Sequence, residues 1–291
     1  MTMLAEGHPH AWNIDRADEH LRAGFRNRRL ADGGRLVVTP QMRQLAAGMP
    51  AWLRRGGAIA LSGPWGAGKT TVLEALAAVA DVNTAFVTIP GRAKTEAAQW
   101  YYITTAITGT EATGTARQMQ NEAREYCTAV PTLLIVDEAQ HLSTGSLLQL
   151  RWLWELEFPR FAIVLAGSDL FERLHAEPSV RERIDARIPL HAHTPTRMVE
   201  LLQQHHPIAA ATDTHLLHQI DQAYAHGSWR AWSKFLLCLA TDNGHTGALD
   251  YDTAATAILS ITGTRPALRT PGAERTADGR PASQPTPRGG R

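Results

Sequence analysis

The spacing of apolar residues divides the chain into two regimes. Short apolar runs alternate with helical stripes as far as about residue 193, and helical stripes alone continue to about residue 262. Runs at 58–61 (Ala-Ile-Ala-Leu), 84–89 (Thr-Ala-Phe-Val-Thr-Ile), 131–138 (ending Leu-Leu-Ile-Val-Asp-Glu) and 161–166 (Phe-Ala-Ile-Val-Leu-Ala) read as buried strands, with 187–190 as the last strand. Thr39-Pro40 predicts a helix cap followed by proline at the first helical position, with Met42, Leu45, Met49 and Leu53 on one face. Val72, Leu73, Leu76 and Val79 repeat at helical spacing, and 95–107 and 116–127 predict two more helices. Leu147, Leu150, Trp154 and Phe158 make a further stripe, which assigns Trp152 and Trp154 to packing rather than to base stacking. Strands alternating with helices predict a parallel α/β sheet. Segments 196–205, 212–225, 228–239 and 251–261 predict a small helical bundle that serves as a lid.

The two ends follow neither pattern. Residues 1–36 mix six arginines with five acids and few apolar positions, which predicts a loosely ordered arm with one short helix near 18–25. Arg26, Arg28 and Arg29 are its basic cluster, either solvated or set against a phosphate backbone. From 264 to 291, five prolines and six arginines against two acids predict a disordered tail. The expected organisation is an arm at 1–36, an α/β domain at 37–195, a helical lid at 196–262 and a tail at 263–291. A net charge of +1 excludes neither nucleic acid nor protein as a partner. Cys127 and Cys238 sit in apolar helical patterns without metal or redox spacing, so both are expected in the core, in a reducing compartment. No apolar run approaches the ~20 residues of a membrane span and no signal-peptide core is present, which predicts a cytoplasmic protein.

Chemistry enters between the first strand and its helix. Gly63-Pro64-Trp65-Gly66-Ala67-Gly68-Lys69-Thr70 fits G-x-x-x-x-G-K-[ST] without a mismatch, and Thr71 continues into the helix. Glycines let successive N–H groups face one anion, and the helix adds its positive end. ATP is the expected ligand, with Lys69 on the outer phosphates and the Thr70 hydroxyl on Mg²⁺. The chain has only three lysines among 29 basic residues, so a lysine at this position carries weight. Asp137-Glu138 closes the 131–138 run where a Walker B pair stands. Asp137 is expected to support Mg²⁺, and Glu138 to orient and deprotonate the attacking water.

The loop at 63–71 together with Val136-Asp137-Glu138-Ala139-Gln140-His141-Leu142 resembles the AAA+ ATPases, within them the branch of origin-recognition and transposition ATPases. The Val136–Leu142 string looks like the segment found in target-selecting ATPases of bacterial transposons (TniB and Mu B type) and in related secretion and helicase-loading ATPases. The resemblance covers about residues 37–262. It implies a P-loop NTPase fold of AAA+ type with a C-terminal helical lid. It also implies a sensor-1 role for Ser168, although the asparagine usual there is absent. Arg187 stands at the arginine-finger position, with Arg183 as the competing choice and a plain surface arginine as the alternative. The stretch from Gly227 to Arg230 resembles the start of the sensor-2 helix, with Ser228 as cap, Trp229, Trp232, Phe235, Leu236 and Leu239 on the buried face, and Arg230 turned toward phosphate.

Two other groups carry less. His205, His206, His215 and His218 lack a carboxylate or cysteine to complete a metal site and read as helical surface residues. Arg92 and Lys94 follow the second strand, where related ATPases line a DNA-facing pore. The expectation is therefore an ATP hydrolase that forms an ATP-dependent homo-oligomer and acts on duplex DNA with a transposase or another protein partner. The alternatives are an ATP-dependent switch or scaffold that recruits a protein, and a helicase-loader or secretion-type motor.

Overall fold

A computed structural model describes residues 13–17, 34–155, 161–242 and 244–270. The short helix near 18–25, the arginine cluster at 26–29, Phe158 and the tail from 271 lie outside the described residues. The chain runs from α1 (Pro40–Arg54) to β1 (Ala58–Ser62), α2 (Lys69–Val79), β2 (Asn83–Thr88), α3 (Glu96–Thr108) and α4 (Ala116–Ala129). It continues through β3 (Thr132–Asp137), α5 (Thr144–Trp154), β4 (Phe161–Gly167), α6 (Leu170–His175), α7 (Pro178–Arg181) and β5 (Ala186–Pro189). Five further helices follow: α8 (Pro195–His205), α9 (Pro207–Ala211), α10 (Thr214–Ile220), α11 (Trp229–Asp242) and α12 (Tyr251–Thr262). All five strands are parallel, in the order β2-β3-β4-β1-β5.

Alternation along each strand sorts the core into two layers. Ala58, Ala60, Leu134, Val136, Ile163 and Leu165 face the side covered by α3 to α7, whereas Ile59, Leu61, Leu133, Ile135, Ala162 and Val164 face α1 and α2. Strands buried on both faces read as continuous apolar runs, as β1, β3 and β4 do. The run at 84–89 differs: β2 lies at the sheet edge, and only Ala85 and Val87 along it are buried. Thr39 caps α1, accepting from the Met42 N–H at 3.3 Å, and Met42, Leu45 and Met49 are buried. In α5 Leu147 and Leu150 are buried and Trp154 packs half-buried against the same core, as the expected stripe has it, with Leu153 buried beside them. Trp152 is 41 % exposed with the Arg124 guanidinium 5.1 Å from its ring centroid, which corrects its assignment to packing.

The helical block has its own core, built around Trp232, Phe235, Leu216, Leu202 and Ile258. The helix expected at 212–225 is a short α10 that passes into a π-helical turn, Asp221–Ala225. Parts of both ends dock. Ile14 and Ala17 are buried beside α1, and residues 264–270 follow the block, where Gln219 exchanges two 2.7 Å hydrogen bonds with the Arg269 backbone. Those partners order the first residues of the segment expected to be a disordered tail. Cys127 and Cys238 are buried, and burial pushes the Cys127 thiol up to about 12. Among the described residues no helix is long and apolar enough to cross a membrane.

Phe235 is fully buried at the centre of the block, so Phe235→Ala is expected to cost about 3–5 kcal/mol of stability. Urea unfolding monitored by circular dichroism checks this.

Candidate functional site

The loop from Gly63 to Gly68 leaves β1 at the carboxyl edge of the sheet and runs into α2. Gly66 and Gly68 adopt φ of 81° and 89°, a region that disfavours any side chain. A Cβ on Gly66 would also stand 2.2 Å from the Ser228 hydroxyl, and one on Gly63 2.4 Å from the Leu190 carbonyl oxygen. The loop is therefore clamped between the end of β5 and the start of α11. The Trp229 N–H donates to the Gly66 carbonyl at 3.1 Å.

Lys69 is buried, and its ammonium donates to the carbonyls of Gly63 (2.7 Å) and Pro64 (3.0 Å) and to the Ser168 hydroxyl at the end of β4 (3.2 Å). Desolvation lowers its pKa, opposed by the Glu138 and Asp137 carboxylates. The Thr70 hydroxyl donates to Asp137 Oδ2 at 2.7 Å, and Asp137 Oδ1 accepts from the Glu138 N–H at 2.9 Å. Asp137 is 2 % exposed, and burial raises its pKa against those two hydrogen bonds. A buried carboxylate paired with a hydroxyl is a hard-oxygen donor set of the kind Mg²⁺ takes alongside water and phosphate oxygen, so the residues fit that ion. Glu138 follows in the left-handed region at φ 56°, which turns its side chain away from the strand.

Above the loop lies a cleft whose wall the sequence does not announce. Leu36, Val37, Met42, Val72, Leu190, His193, His205 and Trp229 line it together with Trp65, Gly66, Ala67, Gly68, Lys69, Thr70, Thr71, Glu138 and Arg230. This apolar side suits the flat ring of a nucleotide base, with the phosphates on the loop. Arg35 and Leu36, assigned by sequence to the arm, belong to this wall: the Arg35 N–H donates to the His205 carbonyl at 2.7 Å, and a His205 ring nitrogen contacts the Arg35 carbonyl. The apolar pair Val37-Val38 just before the α1 cap is the one local signal that could have found it.

Arg230 faces the cleft, stacked 5.4 Å from the Trp65 ring centroid, and Trp65 is 55 % exposed. The Ser228 hydroxyl accepts from the Ala231 N–H at 3.4 Å, as a cap does. Asp221 Oδ1 accepts from the Gly227 N–H at 3.0 Å and from the Trp232 indole at 2.8 Å, which fixes the start of α11 over the loop. Arg187 is exposed on the edge strand β5, donating to the Arg181 carbonyl at 2.8 Å, and it does not line this cleft. Arg183 is paired with Glu155 at 2.9 Å. Arg92 and Lys94 are exposed, away from the cleft. His205 and His206 are buried, not surface residues, because each ring has a backbone partner: His206 caps α9, accepting from Ile208. Among the described residues no group of three potential ligands could hold a metal through histidine, cysteine and acids alone.

Loop, sheet order and acidic strand end give the chain a P-loop fold. Residues 53–174 match the family described as "AAA domain". Similar solved structures include Cdc6p from Pyrobaculum aerophilum (TM-score 0.61, 18 % identity, 77 % of this chain and 69 % of that one). The ORC1 protein of Aeropyrum pernix in complex with DNA gives 0.61 at 16 % identity, covering 83 % and 68 %. The ORC2 protein of the same organism, in ADPNP–ADP complexes, gives 0.57 at 20 % identity, covering 80 % and 72 %. The sequence matches no curated protein. Residues 53–174 are thus similar to an AAA domain, and the solved structures share the fold of the chain.

Gly66→Ala is expected to weaken ATP binding by more than tenfold, since positive φ and the Ser228 contact both oppose a methyl group there. Titration with a fluorescent ATP analogue measures it. A carboxyl whose pKa is raised takes a proton at a less acidic pH than a free aspartate, and protonation removes the charge a cation needs. Acidification is therefore expected to weaken Mg²⁺-dependent nucleotide binding, with Asp137→Asn weak at every pH. Calorimetric Mg²⁺ titrations across a pH series check the sign.

Proposed function

We propose that this protein binds and hydrolyses ATP at interfaces between copies of itself and acts on duplex DNA as a target-selecting accessory of a transposase. The observation that carries the hydrolytic half is the convergence of Lys69, Thr70, Asp137 and Ser168 on one loop, with Glu138 beside them on the cleft wall. Lys69 holds the outer phosphate oxygens, which replace the loop carbonyls it now contacts. Thr70 and Asp137 would hold Mg²⁺, which supplies charge neutralisation when bound. Ser168 keeps the lysine aimed. Glu138 takes a proton from a water molecule; the water oxygen bonds to the terminal phosphorus while the bond from phosphorus to the bridging oxygen breaks, and ADP leaves with that oxygen. Arg230 neutralises charge from the lid, and Arg187 of a neighbouring copy neutralises it from outside.

Two observations support a shared site. Arg187 lies exposed on an edge strand, hydrogen-bonded to the Arg181 carbonyl and outside its own cleft, and Trp65 leaves the mouth of the loop exposed. The DNA half is supported by the likeness to an ORC1 protein in complex with DNA and by the resemblance of the Val136–Leu142 string to transposition ATPases. The division into arm, ATPase domain, lid and tail belongs to the same reading.

Glu138→Gln is expected to retain ATP binding and lose about 10²- to 10⁴-fold in turnover; unchanged hydrolysis would sink the base assignment. Arg187→Ala is expected to lose about 10³-fold while binding ATP normally. Mixing the two inactive variants should restore part of the activity, because some interfaces then pair an intact Glu138 with an intact Arg187. A mixture with no activity argues against a shared site. ATP-dependent assembly measured with and without duplex DNA across a salt series tests the nucleic-acid role. Neither DNA dependence nor a salt slope would favour a protein-recruiting switch.

A further inference from the structure

Glu138 is held by a neighbour two residues on. The Gln140 side-chain N–H donates to Glu138 Oε2 at 2.5 Å, while Oε1 of the glutamate has no protein partner among the described residues. Gln140 is itself constrained. It lies in a tight turn, Ala139–His141, closed by hydrogen bonds from His141 N–H to the Glu138 carbonyl and from Leu142 N–H to the Ala139 carbonyl, each 3.0 Å. Its amide is seated on Gly167 at the end of β4, where a Cβ would stand 2.1 Å from Gln140 Oε1. That Oε1 is buried and lacks a hydrogen-bond partner. An orphaned buried carbonyl is costly. Turning the amide over would set its oxygen against the carboxylate, a worse arrangement still, so the charge on Glu138 dictates the orientation.

The turn has a second anchor. Gln99 of α3, 1 % exposed, donates to the carbonyls of Ala93 (2.8 Å) and His141 (2.9 Å) and accepts from the Ser143 N–H at 2.9 Å. The backbone around Gln140 is thereby fixed from the opposite side, and the amide has one place to go.

A glutamate side chain has three rotatable bonds, and a base that must meet one proton of one water loses rate in proportion to the time it spends elsewhere. We propose that Gln140 is a positioning residue for the base: it holds one oxygen of Glu138 so that the other takes the proton from water. This rests on the reading of Glu138 as the base. Gln140 does not line the cleft, so its effect falls on turnover and not on binding.

The test compares Gln140→Leu, Gln140→Asn and Glu138→Gln, measuring kcat, the ATP dissociation constant and Tm for each. Gln140→Leu removes the grip, and Gln140→Asn keeps the amide but shortens its reach by one methylene, so at least one folded variant is secured. Losing a hydrogen bond to a charged group predicts a fall in kcat of about 10- to 100-fold in both, with ATP affinity and Tm at wild-type values. Wild-type kcat in either folded variant overturns the proposal. So does a fall in kcat matched by a comparable loss of ATP affinity or Tm, which would mark Gln140 as merely structural. If Glu138→Gln still hydrolyses ATP, the base assignment fails and the proposal falls with it. If Glu138→Gln is inactive while Gln140→Leu is normal, the positioning role alone fails.

Discussion

The structure depends on keeping a lysine, an aspartate and a serine dry at the carboxyl end of one parallel sheet. Lys69, Asp137 and Ser168 are each less than a tenth exposed, and buried charges survive only when paired or hydrogen-bonded. Each sits at or just beyond the end of a different strand: Lys69 after β1, Asp137 on β3, Ser168 after β4. The order β3-β4-β1 makes those ends neighbours, and the apolar residues on both faces of the three strands keep water away from them. The sheet is in this sense a device for delivering polar groups to one edge without solvating them.

Much of this was legible because it is local. The glycine loop carries its geometry in its residue types, and an apolar run that ends in Asp137-Glu138 can hardly be anything but an interior strand with an acidic tip. What remained hidden is non-local. The apolar wall of the cleft joins Leu36 and Met42 to Leu190, His193 and Trp229, pieces far apart in sequence that share no periodicity. His205 and His206 look like surface residues by type, and only the Arg35 and Ile208 backbone groups that satisfy them explain their burial. Trp152 was misplaced by residue type: an aromatic reads as core, but it stands off the Leu147, Leu150 and Trp154 stripe, and one residue around the helix separates it from the buried Leu153.

The helical block meets the α/β half through backbone as much as through side chains. Asp221 gathers the Gly227 N–H and the Trp232 indole, the chain turns at His226 and Gly227 with positive φ, and α11 then starts with an N–H on the Gly66 carbonyl. Because the same few residues carry Arg230, the orientation of that guanidinium is inherited from a buried carboxylate in the helical core. The strap at Arg35 adds a second tie, from the segment before α1 to the end of α8. Arg35, His205 and Trp229, which make the two ties, all line the cleft.

Lys69 is partnered from within its own loop. Its ammonium is satisfied by two carbonyls of its own loop, so the loop carries an internal competitor for the lysine. An anion on the loop would compete with the Gly63 and Pro64 carbonyls for that ammonium, and its affinity would be the difference between the two sets of contacts.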